Sequence, residues 1–278
     1  MNTVIGLGHT GGLIADLFSA YPQYVTYKVR DGKRKGKYKN IYTIPTQSSP
    51  ELYDETCPSL KAFFKDIPDD ILFVVDGSET VSAASLRVLE GIRNKSITVL
   101  YVRPDLDFLT GAQRLNERTV RGVLQEYARS AIFERIYLVD VPLVAATLGD
   151  VPIKSYHAMA HNAIVSTLHM INVFSHSPVI MGNVDTPSEM ARVSTFGFVD
   201  AESGKENLFF PLDFPREKSY YFAINEDKLQ TDGSLLKRVK EQALSQAHDK
   251  LRTSYAVYET KYEDDYIYVT SHGSMVQL

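Results

Sequence analysis

Residues 4 to 18 read VIGLGHTGGLIADLF, and this stretch places a glycine-rich turn between a short apolar segment and an amphipathic one. The apolar residues predict a strand at 2–6, and the segment after the glycines predicts a helix at 11–20. Glycine lets the backbone turn tightly and lets a phosphate approach the N–H groups at a helix N-terminus. We therefore predict a phosphate-binding turn, whose glycines are Gly6, Gly8, Gly11 and Gly12.

Apolar strands and helices continue to alternate through the first half of the chain. The segments that predict strands are YVTYKV (24–29), ILFVV (71–75), ITVLYV (97–102) and RIYLV (135–139). Helices are predicted at 82–92 and 111–130. Strands that are apolar throughout and alternate with helices form a parallel sheet covered on both faces. Ligands of such a sheet bind at the carboxyl ends of its strands, which is where the glycine-rich turn lies.

A basic segment, residues 28–39, leads into residues 40–44. Its cationic side chains are Lys28, Arg30, Lys33, Arg34, Lys35, Lys37 and Lys39. Asp31 and Gly32 favour a turn, so we predict that 40–44 pairs back with the strand at 24–29 as a hairpin. The segment is then either a solvated hairpin tip or a contact for phosphate groups or a partner.

A long, largely apolar helix is predicted at 154–174, and it divides the chain into a domain at 1–153 and a smaller α+β domain at 175–278. The second domain has predicted strands RVSTFGFV (192–199), SYYFAINE (219–226), YAVYET (255–260) and DYIYVTS (265–271), and a helix from 234 to about 253. We expect the last two strands to form a hairpin. The predicted fold class is α/β, with a Rossmann-like parallel sheet, a long central helix and a smaller α+β domain.

The composition limits the classes of protein to which the chain can belong. With 278 residues, of which 44% are hydrophobic and 23% charged, it is typical of a packed globular protein. A net charge of -4 gives no overall attraction to nucleic acid or to an anionic membrane, so we expect neither as a partner. The single cysteine, Cys57, excludes an internal disulfide and suits a reducing compartment. We expect a cytoplasmic protein, because the first residues form a strand rather than a secretory signal and no apolar run is long enough to cross a bilayer.

The glycine spacing Gly6-x-Gly8-x-x-Gly11 after a strand is also compatible with a dinucleotide-binding fold. That fold needs an acid at the end of the second strand, about 20 residues on, to bind the ribose hydroxyls. The nearest acid is Asp31, 25 residues after Gly6 and among cationic side chains. An NADP-dependent oxidoreductase is therefore an alternative, although we find no hydride-transfer site in the sequence.

The order of these motifs resembles that of the tubulin/FtsZ superfamily over nearly all of the chain. The shared features are the glycine-rich loop, the strand ILFVV, a helix that opens with SAAS (82–85), a strand that ends in RPDLDF (103–108), the long helix and a loop with Asn-Val-Asp (183–185). The resemblance implies that the first domain binds GTP and that the long helix joins it to the second domain. It also implies that the loop after the helix reaches into the next subunit to position water at the γ-phosphate. In its short length the chain is most similar to the compact tubulins of bacteriophages.

The resemblance assigns a GTP site residue by residue. The first phosphate loop corresponds to Gly6, Gly8, His9, Thr10, Gly11 and Gly12, and the second contains Gly77, Ser78 and Thr80. The positions near the sugar are Arg103, Pro104, Asp105, Arg114 and Asp140. The positions near the base are Tyr156, His157, His161 and Asn162. Asn162 carries the donor and the acceptor that guanine requires, and an asparagine bound by a neighbouring loop is the equal alternative.

The second phosphate loop departs from the superfamily pattern GGGTGTG. Residues 76–82 read DGSETVS, so Gly77 is the one glycine that is kept. Asp76 and Glu79 place negative charge beside the phosphates, at a cost on the order of 1 kcal/mol each. Mg²⁺ bound by one of these acids would reverse that effect. We expect weakened GTP binding.

The catalytic loop is incomplete. The superfamily pattern N-x-D-x-x-D is matched at Asn183 and Asp185, but its third position is Ser188, with Glu189 one residue later. Serine cannot act as the carboxylate that orients water, so we expect slow or absent hydrolysis unless Glu189 takes that role. An ordinary turn around Pro187 is the alternative.

His157 and His161 stand one helical turn apart, as two metal ligands would. The sequence fixes no third ligand, so we expect a packed or base-contacting pair and no metal site.

The resemblance implies head-to-tail self-association, in which residues 6–12 of one subunit meet the loop 183–185 of the next. We therefore expect a divergent tubulin/FtsZ-like protein that forms filaments. A non-hydrolysing pseudo-GTPase that acts as a scaffold or interaction module is the main alternative, and an NAD(P)-dependent oxidoreductase is the other.

Overall fold

A computed structural model describes residues 1–33, 39–200, 203–245 and 247–276. The chain forms two compact units, Met1–Val165 and Ser166–Leu278. The predicted domain limits at residues 153 and 174 stay a prediction.

The first unit is built on a parallel sheet. Its strands are β1 (Thr3–Leu7), β2 (Val25–Asp31), β3 (Ile41–Ile44), β4 (Asp70–Asp76), β5 (Ser96–Arg103) and β6 (Arg135–Asp140). Its helices are α1 (Gly8–Phe18), α2 (Pro50–Thr56), α3 (Ser85–Glu90), α4 (Gly111–Arg129) and α5 (Val141–Ala146). The strands lie in the order β3-β2-β1-β4-β5-β6, and neighbouring strands are parallel throughout. The predicted parallel sheet is confirmed.

Burial explains why the central strands are apolar at successive positions. Every residue of β1 is buried, and in β4 every residue after Asp70 is buried. Strands covered on both faces have no solvent side, so polar residues do not alternate with apolar ones. α1 begins at Gly8, three residues before the predicted start, so the helix contains Gly8, Gly11 and Gly12.

The predicted hairpin between 24–29 and 40–44 is wrong, because β3 runs parallel to β2. The register rises in the same direction along both strands and ends with Asp31 opposite Ile44. Asp31, predicted as a turn residue, is the last residue of β2. Its carboxylate accepts a hydrogen bond from the Tyr53 hydroxyl at 2.6 Å, which ties the end of the strand to α2.

The basic segment 28–39 is described in part, since residues 34–38 lie outside the described residues. Lys28 lies in β2 and forms an ion pair with Asp16 of α1 at 2.7 Å. This lysine therefore has a structural partner within the first unit.

Two glycines allow α1 to pack directly on the sheet. A Cβ atom on Gly6 would lie 2.0 Å from the carbonyl oxygen of Gly11. A Cβ atom on Gly11 would lie 2.6 Å from the carbonyl oxygen of Val74. Any larger residue at either position would push α1 away from β1 and β4.

The long helix is confirmed as one continuous element, α6 (Tyr156–Phe174). It starts two residues later than predicted, because Ile153–Ser155 form a short 3-10 turn. The boundary between the two compact units falls inside it, after Val165. Its buried apolar side chains are Ala160, Ile164, Val165, Leu168, Ile171 and Phe174. Within the described part of the chain, no helix has both the length and the apolar character needed to cross a membrane.

The second unit is built on a mixed sheet. Its strands are β7 (Met181–Asn183), β8 (Val193–Val199), β9 (Glu206–Leu208), β10 (Pro215–Asn225), β11 (Arg252–Thr260) and β12 (Tyr266–Gly273), and its further helices are α7 (Glu226–Thr231) and α8 (Leu235–Leu244). The strand order is β8-β12-β10-β11-β7, with β9 paired to β8. β10 and β11 are parallel, and the other pairs are antiparallel. The predicted α+β character is confirmed.

The predicted hairpin of the last two strands is wrong, because β10 lies between β11 and β12. Eight consecutive residues of β10, from Glu217 to Ile224, are buried, as expected for a strand with a neighbour on each side. The helix predicted to run to about 253 ends at Leu244, and β11 begins at Arg252. α8 packs on this sheet through side chains four residues apart, namely Leu235, Val239 and Ala243.

Replacing Gly6 by alanine tests the close packing of α1. We expect Gly6→Ala to lower the free energy of unfolding by about 3 kcal/mol, because the added methyl group overlaps a backbone carbonyl. The matched control is Gly122→Ala in α4, where a Cβ atom meets nothing within 4 Å. Alanine should stabilise that helix by about 0.5–1 kcal/mol. Urea denaturation measures both changes, and equal effects of the two substitutions would contradict the packing described above.

Candidate functional site

The predicted site residues of the first unit lie at one edge of its sheet. In a parallel sheet the carboxyl ends of all strands meet at the same edge, where ligands bind. β1 ends beside β4, with Leu7 opposite Val75. β5 ends beside β6, with Arg103 opposite Asp140. The start of α1, the loop after β4 and the ends of β5 and β6 therefore belong to one edge.

The amino terminus of α1 is occupied by a carboxylate from the same chain. The backbone N–H groups of His9 and Thr10 donate hydrogen bonds to the two carboxylate oxygens of Glu79, each at 2.7 Å. The first N–H groups of a helix have no partner within it and lie at the positive end of its dipole, so they bind anions. Glu79 therefore takes the place that the prediction gives to a phosphate.

Gly8 makes this contact sterically possible. Its φ of +79° lies in the left-handed region that favours glycine. A Cβ atom at this position would lie 1.9 Å from the nearer carboxylate oxygen of Glu79. The glycine predicted to admit a phosphate thus admits a side-chain carboxylate.

A second carboxylate, that of Asp76, lies behind this contact and is 5% exposed. It accepts hydrogen bonds from the N–H and hydroxyl groups of Ser78 at 2.8 and 2.7 Å, and from the Thr10 hydroxyl at 3.1 Å. Burial is the main reason that the pKa of Asp76 is raised to about 6. The hydrogen bonds from Ser78 and Thr10 oppose that shift, and the negative charge of Glu79 adds to it. Both hydroxyls were predicted phosphate ligands, and both bind a carboxylate.

Asn116 of α4 fixes the loop that carries Glu79. Its side-chain amide donates hydrogen bonds to the carbonyl oxygens of Gly77 and Glu79 at 2.8 and 2.9 Å, and to the Ser82 hydroxyl at 3.1 Å. Gly77 also packs closely, because a Cβ atom there would lie 1.9 Å from the Tyr101 hydroxyl oxygen. The sequence gives no signal for the role of Asn116, since its partners come from a loop more than 30 residues away.

Two further predicted phosphate ligands lie outside these contacts. Thr80 is exposed and begins the 3-10 turn Thr80–Ala84. Gly12 is buried within α1, and a Cβ atom there would lie 3.5 Å from the side chain of Lys28.

The predicted sugar-binding positions at the ends of β5 and β6 are joined by an ion pair. Arg103 Nε donates to the carboxylate of Asp140 at 2.8 Å, and a terminal guanidinium nitrogen binds the same oxygen. Asp140 is 4% exposed and also caps α5 by accepting from the N–H group of Leu143 at 3.5 Å. Pro104 is half-buried, and Arg114 is exposed in the first turn of α4. Asp140 is therefore already paired within the chain.

The predicted base contacts lie at the start of α6. The ring of Tyr156 is 5.2 Å from that of His157, centre to centre. Burial raises the pKa of Tyr156, and the negative charges of Asp105 and Asp140 raise it further. Asn162 is exposed and donates to the carbonyl oxygen one turn earlier in its own helix at 2.8 Å. Its partner is thus α6 itself rather than a neighbouring loop, and a base contact by Asn162 stays a prediction.

The two histidines at the start of α6 differ in exposure, because His157 is exposed and His161 is buried. The ring centres of His157 and His161 are 6.0 Å apart. Burial lowers the pKa of His161 to about 4, and the positive charges of His157 and His9 contribute to this shift. Within the described ranges, no group of three or more His, Cys, Asp or Glu side chains is arranged to hold a metal ion.

The predicted catalytic residues belong to the second unit. Asn183 ends β7 and is opposite Tyr255 of β11. The N–H group of Asp185 donates to the Ser254 hydroxyl at 3.2 Å. The residues Asn183, Asp185 and Glu189 are exposed, so their side chains are open to a partner.

Glu217 and Arg252, which the sequence did not single out, hold the backbone after this loop. Glu217 accepts from the N–H group of Ser188 at 3.0 Å and from Arg252 at 2.8 Å. The pKa of Arg252 is raised mainly by Glu217, with a further contribution from Asp185. Ser188, at the third catalytic position, is therefore anchored through its backbone.

The raised pKa of Asp76 predicts a pH-dependent stability. The native pKa of about 6 exceeds the usual value of about 3.9 for an unfolded chain, so the native state binds the proton more tightly. The resulting stabilisation is complete below the unfolded pKa and is lost as the pH rises through the native pKa. Between about pH 4 and pH 7 we expect the wild type to lose about 2 kcal/mol relative to Asp76→Asn. Urea denaturation across this range measures the difference between the two proteins, and a difference that stays constant would contradict this origin of the shift.

No family model matches the sequence, and no curated protein is detectably similar to it. Solved structures are similar to it in fold. A GDP-form protofilament of TubZ from Bacillus thuringiensis serovar israelensis has a TM-score of 0.73 at 16% identity, over 99% of this chain and 86% of that one. A GDP-bound CetZ1 monomer from Haloferax volcanii has a TM-score of 0.67 at 16% identity, over 100% and 95% of the two chains. An empty FtsZ dimer from M. jannaschii has a TM-score of 0.67 at 11% identity, over 98% and 87%.

These alignments cover both units and rest on the shared fold rather than on shared sequence. The resemblance inferred from the order of the motifs is confirmed at that level: this chain has the fold of the tubulin/FtsZ superfamily.

Proposed function

We propose that this chain self-associates head to tail into filaments, and that it binds GTP weakly and hydrolyses it slowly or not at all. The fold supports self-association, because the similar TubZ structures include protofilaments and a four-stranded filament. In the proposed contact, residues 6–12 of one subunit meet the loop 183–185 of the next. We also propose a cytoplasmic location, which suits the free thiol of Cys57.

The observation that carries this proposal is the exposure of apolar side chains on both sides of the loop 183–185. Their exposed fractions are 41% for Val179, 56% for Ile180, 45% for Met181 and 85% for Met190. Three of these residues, Val179, Ile180 and Met181, are consecutive in the chain, and contiguous exposed apolar surface is typical of an interaction site. Met181 lies in β7, at the end of the strand order of the second unit, and edge strands are natural contact sites.

The groups predicted to bind the phosphates of GTP are already hydrogen-bonded within the chain. The N–H groups that would bind a phosphate are paired with Glu79, and the Thr10 hydroxyl is paired with Asp76. A triphosphate would have to replace the first carboxylate and would meet the negative charge of the second. This arrangement supports weak binding of GTP, with or without Mg²⁺.

The catalytic loop supports slow or absent hydrolysis. The superfamily pattern requires a carboxylate where this chain has Ser188, whose N–H group is bound to Glu217. Glu189 is exposed and adjacent, so it is the candidate to replace the missing carboxylate. We propose that Asn183 and Asp185 serve mainly as contact residues.

A nucleotide-independent scaffold is the second candidate function, and the internal pairing of Glu79 is the observation that favours it. The NAD(P)-dependent oxidoreductase has less support. Its ribose-binding acid, Asp31, does lie at the end of β2, but it is paired with the Tyr53 hydroxyl.

Self-association predicts a concentration-dependent polymer that an added charge disrupts. We expect Met190→Asp to raise the protein concentration needed for assembly about tenfold or more, because an unpaired carboxylate would be buried in the contact. The control is Ile132→Asp. The Ile132 side chain is 53% exposed, and this residue precedes the amino end of β6, at the edge of the sheet opposite the site. Sedimentation and electron microscopy measure assembly. A wild type that stays monomeric, or equal effects of the two variants, would contradict the proposal.

Weak nucleotide binding predicts little stabilisation of the protein by GTP. A ligand present at 100 times its Kd adds roughly 2.7 kcal/mol to the free energy of unfolding, so tight binding would raise the melting temperature clearly. We expect a small shift with GTP-Mg²⁺ or GDP, none with NADPH, and phosphate release near background even where polymer forms. A large rise in melting temperature with GTP together with rapid phosphate release would contradict the proposal of weak GTP binding. Stabilisation by NADPH alone would favour the oxidoreductase.

A further inference from the structure

We infer that Glu79 is an intramolecular plug: its carboxylate competes with phosphate groups for the amino terminus of α1, and its removal opens a site for a di- or triphosphate. The inference rests on the proposed function, because it takes this helix terminus as the phosphate position of the fold. The inference adds to the proposed function that the Glu79 carboxylate controls access to this helix terminus.

The carboxylate makes the contacts that a phosphate would need. Its two oxygens accept from the two successive N–H groups of His9 and Thr10, each at 2.7 Å. Each N–H group has one proton to donate, so a phosphate oxygen and Glu79 cannot share them at full strength. The contact is charge-assisted and bidentate, and charge-assisted hydrogen bonds are roughly twice as strong as neutral ones.

The backbone of Glu79 keeps the carboxylate close to the site. Its carbonyl oxygen accepts from the Asn116 side chain at 2.9 Å and from the N–H group of Ser82 at 2.9 Å. A tethered group acts at a high effective concentration, so a free anion competes at a disadvantage. The apparent affinity for that anion falls in proportion to the fraction of molecules in which the plug is open.

The plug can leave without disrupting the loop. Glu79 is half-buried, so its side chain has solvent into which it can rotate while Asn116 holds its backbone. Asp76 cannot replace it, since this carboxylate is buried and bound to the hydroxyls of Thr10 and Ser78. Opening by Glu79 alone therefore exposes the two N–H groups.

The test compares the binding of inorganic pyrophosphate and of GTP by the wild type, Glu79→Ala and Glu79→Gln. Calorimetry on dilute, unassembled protein gives the affinities. We expect Glu79→Ala to bind pyrophosphate at least tenfold more tightly than the wild type, with a smaller gain for Glu79→Gln, which keeps one acceptor oxygen. The control is Glu90→Gln, which removes the same charge from an exposed residue of α3 and should behave as the wild type.

The two ligands identify the source of the phosphate group. A larger gain for GTP indicates a nucleotide, a gain for pyrophosphate alone indicates an inorganic anion, and either supports the plug. Equal affinities of the wild type and both Glu79 variants for both ligands would overturn it. If neither variant folds, nuclear magnetic resonance of the wild type decides: excess pyrophosphate should move the amide signals of His9 and Thr10, and unmoved signals would overturn the plug.

These outcomes are independent of assembly, because binding is measured on monomers and assembly by sedimentation. A chain that never assembles but whose Glu79→Ala variant gains affinity overturns the proposed filament and supports the plug. If the chain assembles but Glu79→Ala gains no affinity for either ligand, the filament is supported and the plug is overturned.

Discussion

The first N–H groups of α1 have no partner within the helix and need hydrogen-bond acceptors. The contacts at this edge of the sheet depend on how the chain supplies those acceptors. The residue before the helix is Leu7, whose side chain cannot cap it. Gly6 and Gly11 allow the helix to pack closely on β1 and β4, and its first N–H groups contact the loop after β4. In that loop Glu79 provides the acceptors. The fold creates an anion site, and the chain fills it with its own carboxylate.

The neighbouring polar groups are satisfied in the same internal way. Asp76 accepts hydrogen bonds from the hydroxyls of Thr10 and Ser78, and Arg103 donates to the carboxylate of Asp140. Each of these pairs engages side chains that the sequence predicts as nucleotide contacts, and each satisfies polar groups that would otherwise be unpaired at this edge. The apolar side chains that flank the loop 183–185 differ from this edge, because they remain exposed to solvent. Together these features support the proposal that this chain, with its tubulin/FtsZ fold, assembles into filaments and makes little use of nucleotide.

Local patterns predicted the elements well and their neighbours less well. Runs of apolar residues identified β4, β5 and β6, and the length of the apolar pattern identified α6. The direction of β3 and the position of β10 between β11 and β12 depend on pairing between distant segments, which local alternation does not encode. Short edge strands such as β7 have too few residues to show a period.

The site illustrates the same limit. The glycine spacing located the helix terminus, and the DGSETVS segment predicts weakened phosphate binding, which stays a prediction. The charge of Glu79 suggested repulsion of a phosphate, whereas its side chain reaches the N–H groups directly. That contact depends on Asn116, which comes from α4 and fixes the loop in three dimensions. Sequence spacing alone therefore cannot reveal the role of Glu79, because the position of its side chain depends on a residue that is distant in the sequence.

The contact between Glu79 and α1 can be observed directly in the wild-type protein. Nuclear magnetic resonance detects scalar coupling across a hydrogen bond, between a backbone amide nitrogen and the carbon of its acceptor group. We predict couplings from the amides of both His9 and Thr10 to the side-chain carboxyl carbon of Glu79. Their absence, in a spectrum that shows the couplings within neighbouring helices, would contradict the occupation of this helix terminus by Glu79.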